Sequence, residues 1–155
     1  MAAGRFLASD ALRFINSAHL LSLTIAAVII SPPHAWAQSP KSVWEGVFSA
    51  AQAEAAKSTF DRSCSPCHGA GLTGTPGGPP LKGGDFAYSF GDKSVAELVE
   101  FIRSRMPLEA PDSLTPQQAT ALAAYILRGN GFPVGNEALS AEFDDQANII
   151  IKEKK

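Results

Sequence analysis

Apolar residues recur at helical spacing in three stretches of the chain, and each stretch opens with a capping signal. The first begins at Ser49, which forms a capping box with Gln52 three residues later. Residues 50–62 are mainly good helix formers, so a first helix is predicted there, leading directly into Cys64. The residues expected on its buried face are Phe48, Ala51, Ala55 and Phe60.

The second stretch starts at Ser94, which makes another capping box with Glu97. The helix is expected to end near residues 103–105, because Pro107 disfavours the α conformation for Met106. Its apolar stripe consists of Val95, Leu98, Val99 and Ile102.

The third stretch starts at Thr115, with Pro116 at the first helical position and Gln118 at the third. Gly129 is expected to form its C-terminal cap. Its apolar stripe consists of Ala119, Leu122, Ala123, Ile126 and Leu127. Three short helices are therefore predicted from capping signals and apolar periodicity.

Residues 69–93, between the first two predicted helices, are rich in glycine and proline. A structureless loop of this length is unusual inside a compact domain. It is expected if the loop wraps a rigid object that is not protein. Without such an object, three short helices would share little core.

The C-terminal tail, residues 135–155, is polar until Ile149, Ile150 and Ile151 and then ends in charged residues. Two interpretations remain open. The isoleucines form a short strand laid on the body of the domain, or they belong to a frayed terminus.

The first 37 residues have the layout of a cleaved secretory signal peptide. Arg5 and Arg13 supply a basic segment, residues 20–30 are apolar, and residues 35–37 form a small-x-small cleavage site. A retained membrane anchor is the alternative, although a spanning helix needs about 20 apolar residues and this run is shorter. The expectation is therefore export to a bacterial periplasm, with the mature domain over residues 38–134 and no stable membrane insertion.

Removal of the leader leaves one histidine, His68, and one methionine, Met106, in residues 38–155. The remaining 11 basic and 14 acidic residues give a net charge of −3. This balance argues against nucleic acid and against an anionic membrane surface as partners.

The chain's only two cysteines, Cys64 and Cys67, stand in the order Cys-Ser-Pro-Cys-His with His68. Such thiols can add across the two vinyl groups of a haem, and the adjacent imidazole can then ligate its iron. The alternatives are a zinc half-site and a redox disulfide. A structural zinc site needs four ligands, and a thioredoxin-like motif belongs to a βαβ pattern that is not seen here. One covalent haem c is therefore predicted, with His68 as the proximal ligand.

Met106 is the candidate for the sixth iron ligand. It is the only methionine after the leader, and it stands at a helix exit before a proline, where a loop can present its sulfur. A thioether favours Fe(II) and raises the reduction potential. The alternatives are a methionine that fills the core and an open or lysine-capped iron.

Residues 43–133 resemble a class I cytochrome c. The resemblance rests on Cys64 to His68, on Gly-Pro-Pro-Leu-Lys-Gly at 78–83, on Met106 with Pro107, and on the helix ending in residues 124–127. It implies a small all-α cytochrome c fold in which three to five short helices and long Gly/Pro loops wrap one covalent haem.

The resemblance also implies roles for individual residues. Pro79 would give its carbonyl to His68, Leu81 would pack on the haem, and Gly83 would allow a close approach of the chain. The first and last helices would cross at Phe60 and Tyr125. The residues implied near the haem propionates are Phe86, Tyr88, Phe90, Arg103 and Arg105.

Residues 43–48 and 130–133 are further similar to small periplasmic cytochromes associated with quinoprotein dehydrogenases. The implied function is that of an electron carrier rather than an enzyme. Its donor would be a quinoprotein dehydrogenase and its acceptor a terminal oxidase. Two alternatives remain: a haem subunit of a larger periplasmic oxidoreductase, and a gas-binding or peroxidatic protein in which Met106 is labile.

Overall fold

The computed structural model describes residues 39–152, so the predicted signal peptide lies outside the described residues. The helices in this part of the chain are α1 (Ala50–Ala55), α2 (Lys57–Ser63), α3 (Ser65–His68), α4 (Gly84–Phe90), α5 (Val95–Arg105), α6 (Pro116–Gly129) and α7 (Phe143–Ala147). Two short strands, β1 (Lys41–Ser42) and β2 (Ile149–Ile150), accompany them. The all-α prediction is confirmed, although residues 39–152 contain seven α-helices rather than three to five. None of these helices has the length and apolar content needed to cross a membrane.

The first predicted helix is divided into α1 and α2, which are separated by one residue. Phe48 and Phe60 are fully buried, as predicted. The prediction was wrong for Ala51 and Ala55, which are exposed. The buried alanines of this segment are Ala53 and Ala56. Because alanines occupy both sides of the helix, the apolar pattern does not define which side faces the core.

Helices α5 and α6 form the centre of the domain and pack against each other, and α1 packs on α6. The capping box predicted at Ser94 with Glu97 is present, and the start signal predicted at Thr115 forms a capping box with Gln118. The apolar stripes predicted for both helices are buried, with each of their residues at most 7% exposed. Together they supply nearly half of the buried hydrophobic core of the described residues.

The C-terminal end of α6 differs from the prediction. Gly129 is the last helical residue rather than the cap, and Asn130 takes the C-cap position. A Cβ atom at Gly129 would collide with the buried side chain of Leu72. A close contact, rather than helix termination, therefore accounts for the glycine. The left-handed conformation that often follows a helix occurs two residues later, at Gly131 (φ 82°).

The tail lies against the body of the domain along much of its length. Strand β2 pairs in parallel with β1, and the Ile151 amide and carbonyl bond Lys93 O (2.8 Å) and Asp92 N (2.7 Å). Near the start of the tail, the Gln52 amide donates to Leu139 O (2.9 Å) and accepts from Leu139 N (2.8 Å). The Gln52 side chain is therefore not used in the capping box predicted with Ser49, and only the bond from Gln52 N to Ser49 Oγ forms.

The glycine- and proline-rich segment 69–93 is only partly a loop. Residues 69–83 are irregular, but α4 occupies Gly84–Phe90 and buries Phe86. The sequence carries no capping signal for α4, whose N-cap is Gly83 without a side-chain bond. The helix forms because Phe86 reaches the core, which is a tertiary cause that local spacing does not reveal.

Candidate haem site

The Cys-Ser-Pro-Cys-His segment forms one turn of helix that directly follows α2. Cys64 is the N-cap of α3, and its carbonyl accepts from the amides of Cys67 (3.2 Å) and His68 (2.8 Å). Residues three and four apart on a helix share a face. The turn therefore directs both thiols and the imidazole toward the same side.

Both cysteines are free thiols and half-buried. Burial, together with the neighbouring Cys67, raises the pKa of the Cys64 thiol to about 11. Cys64 is therefore kept neutral at physiological pH. Within residues 39–152, no group of three or more His, Cys, Asp or Glu side chains is placed to hold a metal ion, so the described side chains alone do not complete a zinc site.

The imidazole of His68 is buried, and one of its two nitrogens is held by the backbone. Its Nδ1 lies 2.7 Å from the carbonyl oxygen of Pro79. A carbonyl can only accept, so Nδ1 must carry the proton and donate it. In the neutral imidazole, Nε2 is then the nitrogen without a proton, and its lone pair is available for a metal. No residue of the described part of the chain hydrogen-bonds to Nε2.

The loop after His68 is hydrogen-bonded to the same turn of helix. Thr75 Oγ1 donates to Cys67 O (2.6 Å) and accepts from Gly77 N (3.0 Å). A Cβ atom at Gly78 would lie 3.1 Å from Cys67 Cβ, so only glycine allows the loop to come this close. Sequence reasoning did not identify Thr75, because its role depends on a contact eight residues away.

Leu81 lies half-buried at the edge of the core, and both of its backbone polar groups are bonded. Its amide donates to Leu72 O (2.9 Å), and its carbonyl accepts from Asn130 Nδ2 (2.9 Å). The close approach expected at Gly83 is not seen, since no described atom lies within 4 Å of a Cβ built there. Glycine instead suits the positive φ of 66° at this position.

Met106 terminates α5. Its backbone is extended (φ −125°, ψ 147°), as expected before a proline, while its amide still bonds Ile102 O. Its side chain is half-buried and does not belong to the buried core cluster. The alternative of a core-filling methionine therefore finds no support in the packing.

The aromatic residues named from the resemblance have different surroundings. Phe60 and Tyr125 contact each other with ring centroids 4.8 Å apart, across the meeting of α2 and α6. Phe86 and Phe90 pack at 5.6 Å, whereas Tyr88 is 94% exposed and covers no described residue.

The two arginines near Met106, Arg103 and Arg105, have different surroundings. Arg103 bonds Glu100 (3.1 Å) and Asp112 (3.3 Å), so its guanidinium already has two carboxylate partners. Arg105 is exposed. A propionate role for either side chain stays a prediction.

The amino-acid sequence of residues 51–126 matches the family model described as cytochrome c oxidase, cbb3-type, subunit III. The matched segment starts in α1 and ends in α6, and it contains the cysteines, His68 and Met106. Residues 51–126 form a class I-like c-type cytochrome domain. This confirms the family predicted from the motifs. A cytochrome c domain indicates haem-based electron transfer.

A solved structure supports the same fold for the cytochrome. The crystal structure of the sulfane dehydrogenase SoxCD from Paracoccus pantotrophus contains a chain that matches with a TM-score of 0.50 and 19% identity. The match covers 78% of this chain and 65% of that chain, so the cytochrome spans less than two thirds of the neighbour's length. At this identity the likeness concerns the fold alone. No curated protein matches the chain.

The donor set of the cytochrome fits a haem. Two thiols and an imidazole share one face of a helical turn, and the imidazole has the tautomer that leaves Nε2 able to bind iron. Nδ1 makes the backbone hydrogen bond that iron- and zinc-ligating histidines usually have. Met106 adds a thioether that the protein core does not enclose.

Proposed function

We propose that the cytochrome is an electron carrier of the bacterial periplasm that holds one haem c. In this proposal Cys64 and Cys67 attach the haem as thioethers, and His68 and Met106 are the two axial ligands. The bound haem supplies an iron that alternates between Fe(II) and Fe(III). The chain supplies the ligands and their fixed positions, and it is not itself an enzyme.

The hydrogen bond from His68 Nδ1 to Pro79 O carries this proposal. This bond, with Nδ1 2.7 Å from the carbonyl oxygen, fixes the tautomer and the orientation of the ring. A carbonyl partner also makes the imidazole a more basic ligand. Any buried imidazole N–H needs such an acceptor. What points to iron is that Nε2 is left without a hydrogen-bond partner in residues 39–152, next to two free thiols.

Met106 supports a carrier rather than a catalyst. A thioether and an imidazole together leave no open position on the iron for substrate. The chain ends α5 at Met106 through the following proline, and α5 is anchored in the core by its buried stripe. A ligand on a rigid element moves little between the two oxidation states.

The visible spectra of the purified, haem-loaded protein test this ligation. We expect Met106→Ala to lose the far-red sulfur–iron band of the oxidised form and to bind carbon monoxide when reduced. Leu108→Ala is the matched control, because Leu108 is 74% exposed in the same segment and should change neither property.

Wild-type protein that already binds carbon monoxide would contradict a six-coordinate carrier and favour the gas-binding or peroxidatic alternative.

Covalent attachment of the haem is tested separately on denaturing gels. One thioether is enough to retain the haem on the gel, so the double variant Cys64→Ala/Cys67→Ala should lose it, while Ser65→Ala, in the same turn, should keep it. Haem that washes out of the denatured wild type would refute covalent attachment.

Export is tested by fractionating cells that express the full chain. The holoprotein should appear in the periplasmic fraction with Gln38 as its first residue. A holoprotein that stays in the membrane pellet and still carries residues 1–37 would support the retained anchor.

A permanent subunit of a larger periplasmic oxidoreductase is the second candidate. It is favoured by the likeness of the fold to a chain in the structure of a dehydrogenase. For the free carrier, the proposed donor is a quinoprotein dehydrogenase and the acceptor a terminal oxidase, bound briefly through a small interface. Native purification from the periplasm separates the candidates, because a stoichiometric partner that survives gel filtration would rule out the free carrier.

A further inference from the structure

Asn130 joins the end of α6 to the loop segment that follows Pro79. Its Nδ2 donates to Leu81 O and to Ile126 O, each at 2.9 Å. Its Oδ1 accepts from Gly83 N at 3.0 Å. One side chain thus caps the helix and holds a loop nearly 50 residues away in sequence. Capping alone requires only the bond to Ile126.

Both backbone polar groups of Leu81 are hydrogen-bonded. Its amide donates to Leu72 O at 2.9 Å, and its carbonyl accepts from Asn130. Asn130 itself is fixed by α6, one of the two central helices. The position of Leu81 is therefore set by the core of the domain rather than by the loop.

Two prolines connect this fixed point to the ligand. Pro79, whose carbonyl accepts from His68 Nδ1, is followed by Pro80 and then by Leu81. Each proline ring locks φ near −65°, so few soft torsions remain between the two peptides. A displacement of Leu81 is therefore transmitted to the Pro79 carbonyl instead of being absorbed.

We infer that Asn130 is a positioning residue for the histidine ligand, acting through Leu81 and Pro79 on the hydrogen bond to His68 Nδ1. This inference rests on the proposed function, since it assigns His68 to the iron. Loss of the Asn130 side chain releases the Leu81 carbonyl and weakens the bond to Nδ1. The imidazole then becomes a less basic ligand. A less basic ligand stabilises Fe(III) less, so the reduction potential rises.

Asn148 provides a matched control. It is the C-cap of α7, and its Nδ2 donates to Asp144 O at 2.9 Å, four residues back. Asn130 makes the equivalent bond to Ile126, also four residues back. The two residues therefore share the capping role, but only Asn130 bonds the loop.

The experiment compares Asn130→Ala with Asn148→Ala in the haem-loaded protein. Hydrogen exchange of the His68 Nδ1–H is measured by NMR on the reduced form, together with the midpoint potential. We expect exchange about tenfold faster in Asn130→Ala, in line with the loss of one hydrogen bond, and a higher potential. Asn148→Ala should match the wild type in both measurements.

Asn130→Gly, paired with Asn148→Gly, carries the same test if the alanine variant does not fold, because glycine suits the end of a helix. Unchanged exchange and potential in the folded Asn130 variant would overturn the inference, as would equal changes in the two asparagines. A wild type without covalent haem, or without a protected His68 Nδ1–H, would instead refute the proposed function. The two failures are therefore distinguishable.

Discussion

Replacing Ile151 with alanine tests whether the tail is part of the folded domain. Ile151 is only 2% exposed and is a member of the core cluster. Its backbone is tied by two hydrogen bonds to residues 92 and 93, just before α5. Ile150, the preceding residue on the same segment, is only partly buried. Alternation along an extended chain thus places two identical side chains in different environments.

The structure sets the expected magnitude. Removing a buried isoleucine side chain to its β-carbon costs about 2–5 kcal/mol, from lost burial and from the cavity that remains. For the buried Ile151 we expect about 2–4 kcal/mol. For Ile150→Ala we expect less than half of that, because the side chain already contacts water.

The assay is urea unfolding of haem-loaded protein, followed by circular dichroism and by the haem absorbance. Both probes should give the same midpoint if the domain unfolds as one unit. A loss of under about 1 kcal/mol for Ile151→Ala, or equal losses for the two variants, would show that the tail does not contribute to the core.

Three further predictions concern α5 and α6. Ser94→Ala should destabilise the domain by about 1 kcal/mol in urea unfolding. The hydrogen bonds from the Ser94 amide and hydroxyl lower the pKa of Glu97, so its stabilising contribution is present at neutral pH and is lost as the pH falls through the lowered pKa. The stability gap between wild type and Glu97→Gln should therefore narrow below about pH 4, and a gap that widens would contradict this. Gly129→Ala should cost about 1–3 kcal/mol because its methyl group meets Leu72. In a double-mutant cycle the cost should fall when Leu72→Ala is also present, and an unchanged cost would exclude the clash.

Local capping and proline signals predicted where α5 begins and ends and where α6 begins. The start of α5 at Ser94 and of α6 at Thr115 follows from side chains that bond the first turn of their own helix. The end of α5 follows from the effect of Pro107 on its neighbour. These interactions span at most four residues, so the sequence contains both partners within one window.

Elements whose causes are distant in sequence were missed or misplaced. Helix α4 has no capping signal and depends on burial of Phe86. Gln52 was expected to bond its own helix, but its amide instead pairs with Leu139, 87 residues away. Gly129 was taken for a cap, but it makes room for Leu72. In each case a contact from another part of the chain outweighs a local preference.

The candidate site shows the same division. The motif from Cys64 to His68 is local, and one helical turn brings its three donors to one face. The pairing of His68 with Pro79 was implied by the family resemblance, and the structure places these two atoms 2.7 Å apart. Asn130 could be recognised in the sequence only as a residue near a helix end. Its three-way bonding becomes visible when α6 is packed against the loop.

By itself, the sequence predicted haem binding, the all-α class, both ends of α5 and the start of α6. These depend on residue types and on spacings of a few positions, which are independent of the rest of the fold. Only the tertiary structure decided which alanines of α1 and α2 face the core, that residues 149–151 lie against the domain, and how Asn130 holds the segment after Pro79. Those outcomes depend on burial and on hydrogen bonds between residues far apart in sequence, and such contacts are selected only when the whole chain packs.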